Sequence, residues 1–195
     1  MDYETIQAKY CSNSRKGKTA MPGRMGNRII RNIEEAIPYF KEYGQGLPVL
    51  DVGCGDGFGL GVFRRHGFDG VGVELVGERV ETARSHGITA FKGPAEELGV
   101  IPELRGWKFN VFCSHTLEHC QDRKGAVDQM IQLAANLIWI IVPVEFKKKS
   151  SNIAHCSPVQ SLGEFKEYFN DDWVKIKEEY RFNLEYEDVI AFRRL

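Results

Sequence analysis

Two clusters of residues in this 195-residue chain have the types and spacing to do chemistry. The first is Val49-Leu50-Asp51-Val52-Gly53-Cys54-Gly55-Asp56-Gly57-Phe58-Gly59, an apolar run that ends in an acid and then in glycines two apart. A strand, glycine turn and helix in that order bring bare backbone close to a ligand, because glycine tolerates positive φ and carries no Cβ. The spacing is not that of a dinucleotide fingerprint: Phe58, Leu60 and Val62 stand where the last glycine of G-x-G-x-x-G would fall. Glu74 closes the next apolar run, Gly70 to Val73, at the rim where open α/β sheets bind ligands. A carboxylate there can accept from both hydroxyls of a ribose, each well-formed bond being worth about 1.5–3 kcal/mol. NAD enzymes use the same device, so Glu74 speaks for a nucleoside without choosing the cofactor. The competing reading is a solvated strand end.

The second cluster is Ser114-His115-Thr116-Leu117-Glu118-His119, directly after the apolar run Phe109 to Cys113. His115 to His119 matches H-x-x-E-H, a zinc motif that needs both histidines one turn apart on a helix and a third ligand elsewhere. Here His115 follows a strand and falls on the loop before any helix, and the nearest third carboxylates, Glu185 and Glu187, lie in a distant link. The zinc reading is set aside, and no metal is expected. His119 and His155 are instead the candidate general bases, since histidine titrates near neutral pH. The alternative for each is a structural or solvated histidine.

The elements that must position these residues alternate along the chain. Asn27 to Tyr43 has helical apolar spacing, with Pro38 expected to kink or end it. Strands are expected at Val49–Val52, Gly70–Glu74, Ile88–Phe91, Lys108–Cys113 and Leu137–Val142. Between them fall helices at Phe58–His66, Glu78–His86, a short one at Ala95–Leu104 and a long one at Leu117–Ala135. Leu162–Phe169 reads as helix, and Val174–Phe182 with Val189–Arg194 as a closing hairpin. Five strands alternating with helices and then a hairpin predict a mostly parallel sheet with one antiparallel member.

The acid-x-Gly-x-Gly-x-Gly turn, the rim acid Glu74 and the strand followed by Ser-His-x-Leu-Glu-His resemble the ordered motifs of the class I S-adenosylmethionine-dependent methyltransferases. The resemblance runs from about Asn27 onward. It implies an α/β, Rossmann-like seven-stranded sheet in the order 3-2-1-4-5-7-6, the last strand antiparallel, with helices on both faces. It implies S-adenosylmethionine as cofactor and S-adenosylhomocysteine as its product. Asp51, Gly53, Gly55 and Glu74 then hold the cofactor, Ala95 and Glu96 match the adenine loop, Ser114 and His115 contact the cofactor, and His119 faces the substrate. Pro94 and the two glutamates after Ala95 equally suit a plain helix start. Asn110 stands where the family often has aspartate, within the strand rather than at its end.

Composition narrows the partners. The chain is 43% hydrophobic and 27% charged with a formal net charge of -1, so no bulk attraction to nucleic acid or anionic membrane is expected. No apolar run approaches a membrane span, and Met1-Asp2-Tyr3-Glu4 is unlike a secretory signal. Five scattered cysteines without a C-x-x-C pair suit a reducing compartment, and the expectation is cytoplasmic. Residues 1–26 are expected to be a basic segment and potential lid before a domain at 27–195. Over residues 1–31, Lys9, Arg15, Lys16, Lys18, Arg24, Arg28 and Arg31 outnumber Asp2 and Glu4, an excess that favours an anionic acceptor or is simply solvated. The motifs of amino-directed nucleic-acid and cytosine C5 methyltransferases are missing. The leading expectation is therefore methyl transfer to an O or N acceptor of a small molecule or terminal group. Nucleotide or nucleic-acid methylation and a non-catalytic cofactor-binding module stand as alternatives.

Overall fold

The computed structural model describes residues 24–144, 155–181 and 187–195. The expected N-terminal lid up to residue 23, the basic run Lys147–Lys149, whose sequence reads as a solvated loop, and Glu185 lie outside the described residues. Among the described residues four α-helices and seven strands follow in order: α1 (Arg24–Tyr43), β1 (Val49–Val52), α2 (Phe58–Arg65), β2 (Gly70–Glu74), α3 (Gly77–Ser85), β3 (Ala90–Lys92), β4 (Phe109–Ser114), α4 (Arg123–Leu133), β5 (Ala134–Val142), β6 (Trp173–Glu179) and β7 (Asp188–Arg194). The sheet order is β3-β2-β1-β4-β5-β7-β6, as the family resemblance implies. The pairs from β3 to β5 are parallel, and β7 runs antiparallel to both β5 and β6.

Both faces of the sheet are covered, which is why β1 and β5 read as nearly unbroken apolar runs. Alternation along β5 divides the core. Ile138, Ile140 and Val142 pack with Leu98, Leu117, Met130 and Phe165 on one face. Leu137, Trp139 and Ile141 pack with Ile33, Phe40, Phe63 and Phe112 on the other. Each such side chain, fully buried, contributes about 1.5–3 kcal/mol, so the sheet is a stiff platform for whatever sits at its rim.

Several elements differ from the sequence reading: Leu162–Tyr168 is a 3-10 helix and β5 starts at Ala134, where helix is expected to run to Ala135. Helix α1 begins at Arg24 and continues through Pro38. The expected short helix over Ala95–Leu104 is two 3-10 turns, with Glu97 off helical geometry. The expected long helix from Leu117 is broken: a 3-10 turn spans Leu117–His119, Cys120 is extended, and α4 starts only after Asp122. Asp122 caps that start by accepting from Gly125 N at 2.8 Å, a local signal that outcompetes the apolar pattern running across it. Asn110 proves structural, its amide donating to Gly44 O at 2.8 Å and Leu47 O at 3.2 Å at the end of the sheet away from the glycine turn.

Candidate active site

The C-terminal ends of β1, β2 and β4 open onto a cleft of about 620 Å³ lined by Gly53, Glu74, Val76, Ala95, Glu96, His115, Thr116 and His119, among others. Asp51, Gly53, Gly55, Ser114, His115, Arg28 and Asn32 border an adjoining hollow of about 840 Å³. Every cofactor residue expected from the sequence therefore lines one or both spaces, at the switch point where β1 neighbours β2 and β4.

Glu74 is buried at the end of β2, and its two oxygens accept from Gly55 N and Val76 N, each at 2.9 Å. These bonds tie the glycine turn to the start of α3 and fix the carboxylate's orientation. A carboxylate has about four acceptor positions, so two stay available to a ligand. Gly53 cannot be replaced cheaply. Its φ is +80°, and a Cβ there would come 1.9 Å from Thr116 Oγ1. Thr116 in turn donates within reach of Val52 O at 3.1 Å and Ser114 O at 3.2 Å, joining the ends of β1 and β4 under the cleft. Asp51, 5% exposed, is pushed up to about 7 by burial and by the nearby Glu74 carboxylate. On the opposite wall Ala95 lines the cleft, and Glu96 accepts from Gln121 N at 2.9 Å, bracing the loop against the turn after β4.

His115 sits with φ +52° immediately after β4, between two buried carboxylates. Its Nδ1 is 3.4 Å from Glu118 Oε1 and its Nε2 is 3.8 Å from Glu187 Oε1. Burial works against its charge, but the two carboxylates outweigh burial and push the imidazole up to about 9. The paired carboxylates thus favour the protonated imidazole, which makes His115 a poor base. Glu187, fully buried, also accepts from Asn32 Nδ2 at 3.0 Å and pairs with Arg28 Nε at 2.9 Å and with Arg31. Burial would raise the Glu187 carboxyl, yet this ring of partners holds it below its ordinary value.

The third side of the site is the 3-10 turn. His119 and His155 meet there, ring centroids 4.9 Å apart at 75°, with Glu118 Oε1 3.8 Å from His119 Nε2. The segment carrying His155 is docked by Ser157, whose N–H donates to Glu118 O at 3.0 Å and whose carbonyl accepts from Arg123 at 2.8 Å. The sequence reading set Glu118 aside, used Glu187 only as a remote zinc candidate, and missed Thr116, Asn32 and the site role of Arg28. The polar Glu118 between two histidines was the available signal. Cys54, Cys113 and Cys120 are buried, and burial holds each thiol well above its ordinary range, so none is a ready nucleophile.

A seven-stranded sheet of this order, with a glycine turn and a rim acid over one cleft, defines the Rossmann-like fold of class I S-adenosylmethionine-dependent methyltransferases. Residues 21–151 match the model of the methyltransferase domain family, and the chain belongs to that family. It is 28% identical over 138 residues to ajmaline N-methyltransferase of Rauvolfia serpentina, covering 65% of this chain and 47% of that protein. It is 32% identical over 102 residues to ubiquinone biosynthesis O-methyltransferase of Bordetella avium (strain 197N), covering 49% of this chain and 42% of that one. The chain thus spans less than half the length of these relatives. Its fold matches the crystal structure of magnesium protoporphyrin IX methyltransferase from Synechocystis PCC 6803 with bound S-adenosylhomocysteine. The TM-score is 0.72 at 12% identity, covering 99% of this chain and 98% of that one. No helix among the described residues is long and apolar enough to cross a membrane.

Proposed function

We propose that the chain is an S-adenosylmethionine-dependent methyltransferase acting on an O or N acceptor of a small molecule or terminal group. The observation that carries this is Glu74, buried at the rim and held by Gly55 N and Val76 N with acceptor positions to spare. When bound, S-adenosylmethionine supplies an electrophilic methyl group on a sulfonium sulfur. Glu74 would hold the ribose hydroxyls, Gly53 and Gly55 would let the backbone approach, and Ala95 with Glu96 would border the base. Asp51 and Ser114 would face the amino acid end, where an ionised Asp51 favours a cation. His115, flanked by its two carboxylates, keeps the hollow's wall in place, and His119 and His155 form the acceptor side. Holding acceptor and methyl in line at near-attack distance supplies much of the acceleration in such a transfer.

The two relatives, an N- and an O-methyltransferase, support a small-molecule acceptor. A nucleic-acid grip through the basic N-terminal residues is less well supported, because Arg28 and Arg31 already pair with Glu187. The basic segment 1–26 is proposed as a lid over the cleft. The free thiols fit a cytoplasmic location. Calorimetric titration of S-adenosylhomocysteine tests the reading: micromolar binding is expected, and a folded protein that does not bind it would refute the proposal. Methyl transfer from labelled S-adenosylmethionine to a panel of phenols, alcohols and amines then identifies the acceptor.

A further inference from the structure

Glu118, His119 and His155 form a constellation that cofactor binding does not use. Each offers one donor atom, and these atoms all lie within 4.8 Å of one another. Some point therefore lies within about 2.8 Å of all three, against about 2.0–2.2 Å for nitrogen and oxygen bonds to zinc. Small side-chain rotations close that gap.

The surroundings suit an ion. Glu118 is 1% exposed, and among the described residues its Oε2 has no hydrogen-bond partner. A buried carboxylate oxygen left that way is costly unless something positive meets it. Oε1 of the same carboxylate lies 3.4 Å from His115 Nδ1 and 3.8 Å from His119 Nε2, so His115 holds the oxygen nearest His119 in place, the kind of outer support that orients metal ligands. Ser157, bonded to Glu118 O and to Arg123, sets His155 on the turn. His119 lines the cleft, so the cluster stands at its edge.

We propose that Glu118, His119 and His155 bind one divalent first-row transition-metal ion. Two imidazoles with one carboxylate suit such an ion better than magnesium or calcium, which prefer all-oxygen sets. The ligand set differs from the H-x-x-E-H reading of the sequence: His155 takes the place of His115, and Glu118 that of the distant third carboxylate, Glu185 or Glu187. Three protein ligands leave coordination positions open toward the cleft. The role of the ion, unlike its binding, rests on the methyl-transfer reading. A hydroxyl of the acceptor would take an open position, which lowers its pKa, so that its proton leaves to solvent and the oxygen is oriented for attack. The site thereby selects oxygen acceptors.

The test uses the full chain, stripped with a chelator and titrated with Co²⁺ by visible absorption and with Zn²⁺ by calorimetry. One ion per chain is expected, with affinity lowered at least about tenfold in His155→Ala, His119→Ala and Glu118→Gln. His66→Ala/His86→Ala, which removes two exposed histidines elsewhere, should bind as the wild type does. Absence of a stoichiometric site in the wild type, or unchanged affinity in His155→Ala, overturns the proposal. His155 is only half-buried, so that variant keeps the test valid even where Glu118→Gln fails to fold. S-adenosylhomocysteine titrated into the same samples reads the methyltransferase assignment separately. Metal binding without cofactor binding would sustain the site and remove its role.

Discussion

The imidazole rings of His119 and His155 stand edge to face, 4.9 Å between centroids, although 3-10 turn and docked loop are far apart in the chain. Contact of this kind makes the two a unit, either as ligands of one ion or as one acid–base pair. With an acceptor in hand, His119→Ala and His155→Ala are each expected to lower kcat by about 100-fold or more. The double variant should lose little beyond the worse single one, since residues acting as a unit are not additive. S-adenosylhomocysteine affinity in His155→Ala should match the wild type, because His155 does not line the cofactor cleft. Steady-state kinetics with parallel calorimetry check all three expectations.

Glu74→Ala removes both the ribose acceptor and the clamp between Gly55 and Val76. Loss of one or two charge-assisted bonds predicts S-adenosylhomocysteine binding weaker by about 10- to 100-fold or more. The freed amides also cost the apo protein about 1–3 kcal/mol, measurable by urea unfolding. Glu74→Gln should recover part of the stability and less of the affinity, since its amide accepts through one oxygen only and its nitrogen donates.

Asp51 supplies a pH signature. Its folded-state value of about 7 lies above the ordinary 3.8, so the folded protein holds the proton more tightly than the unfolded chain. Its contribution to stability is therefore full below about pH 4 and is lost as pH rises through 7. A cationic cofactor reverses the preference by favouring the carboxylate. Affinity for S-adenosylmethionine should rise by at most about tenfold per pH unit on approaching pH 7, then level off. Asp51→Asn should flatten that profile and bind more weakly at pH 8. Titrations between pH 5.5 and 8.5, with the stability slope followed by urea unfolding, test both halves.

What could be read in advance follows from how local the signals are. The glycine turn, Glu74 and the apolar runs of β1 and β5 each declare themselves within a dozen residues, and the family resemblance that the turn and Glu74 carry implies the strand order and the cofactor side. Glu187 declares nothing locally. It reaches the rim because β7 runs antiparallel: Val142 pairs with Asp188 and Ser114 with Ile141, so the start of β7 lies level with the end of β4. Only the folded sheet joins it to Asn32 and His115. The His119–His155 contact likewise depends on Ser157 docking a later loop. The split at Cys120 is hidden because apolar residues at Leu117, Cys120, Val127 and Ile131 keep a helical spacing across it.

That long-range Glu187 cluster makes the last prediction. Glu187→Gln keeps the shape and one acceptor for Asn32, but takes from Arg28 its carboxylate partner and leaves His115 with Glu118 alone, in a largely buried place. Removing one partner of a buried pair is far costlier than the pair's net worth, although Arg28 and His115 are each about a quarter exposed and water screens part of the loss. The expected destabilisation is about 2–3 kcal/mol by urea unfolding. Arg31→Ala removes a partner whose side chain is 48% exposed, so its cost should stay below about 1 kcal/mol. Because Arg28 and Asn32 wall the cofactor hollow, Glu187→Gln should also weaken S-adenosylhomocysteine binding, while Arg31→Ala should not. Equal losses in the two variants would mean that Glu187 acts through its surface pair rather than through the buried contacts that join α1 to the rim.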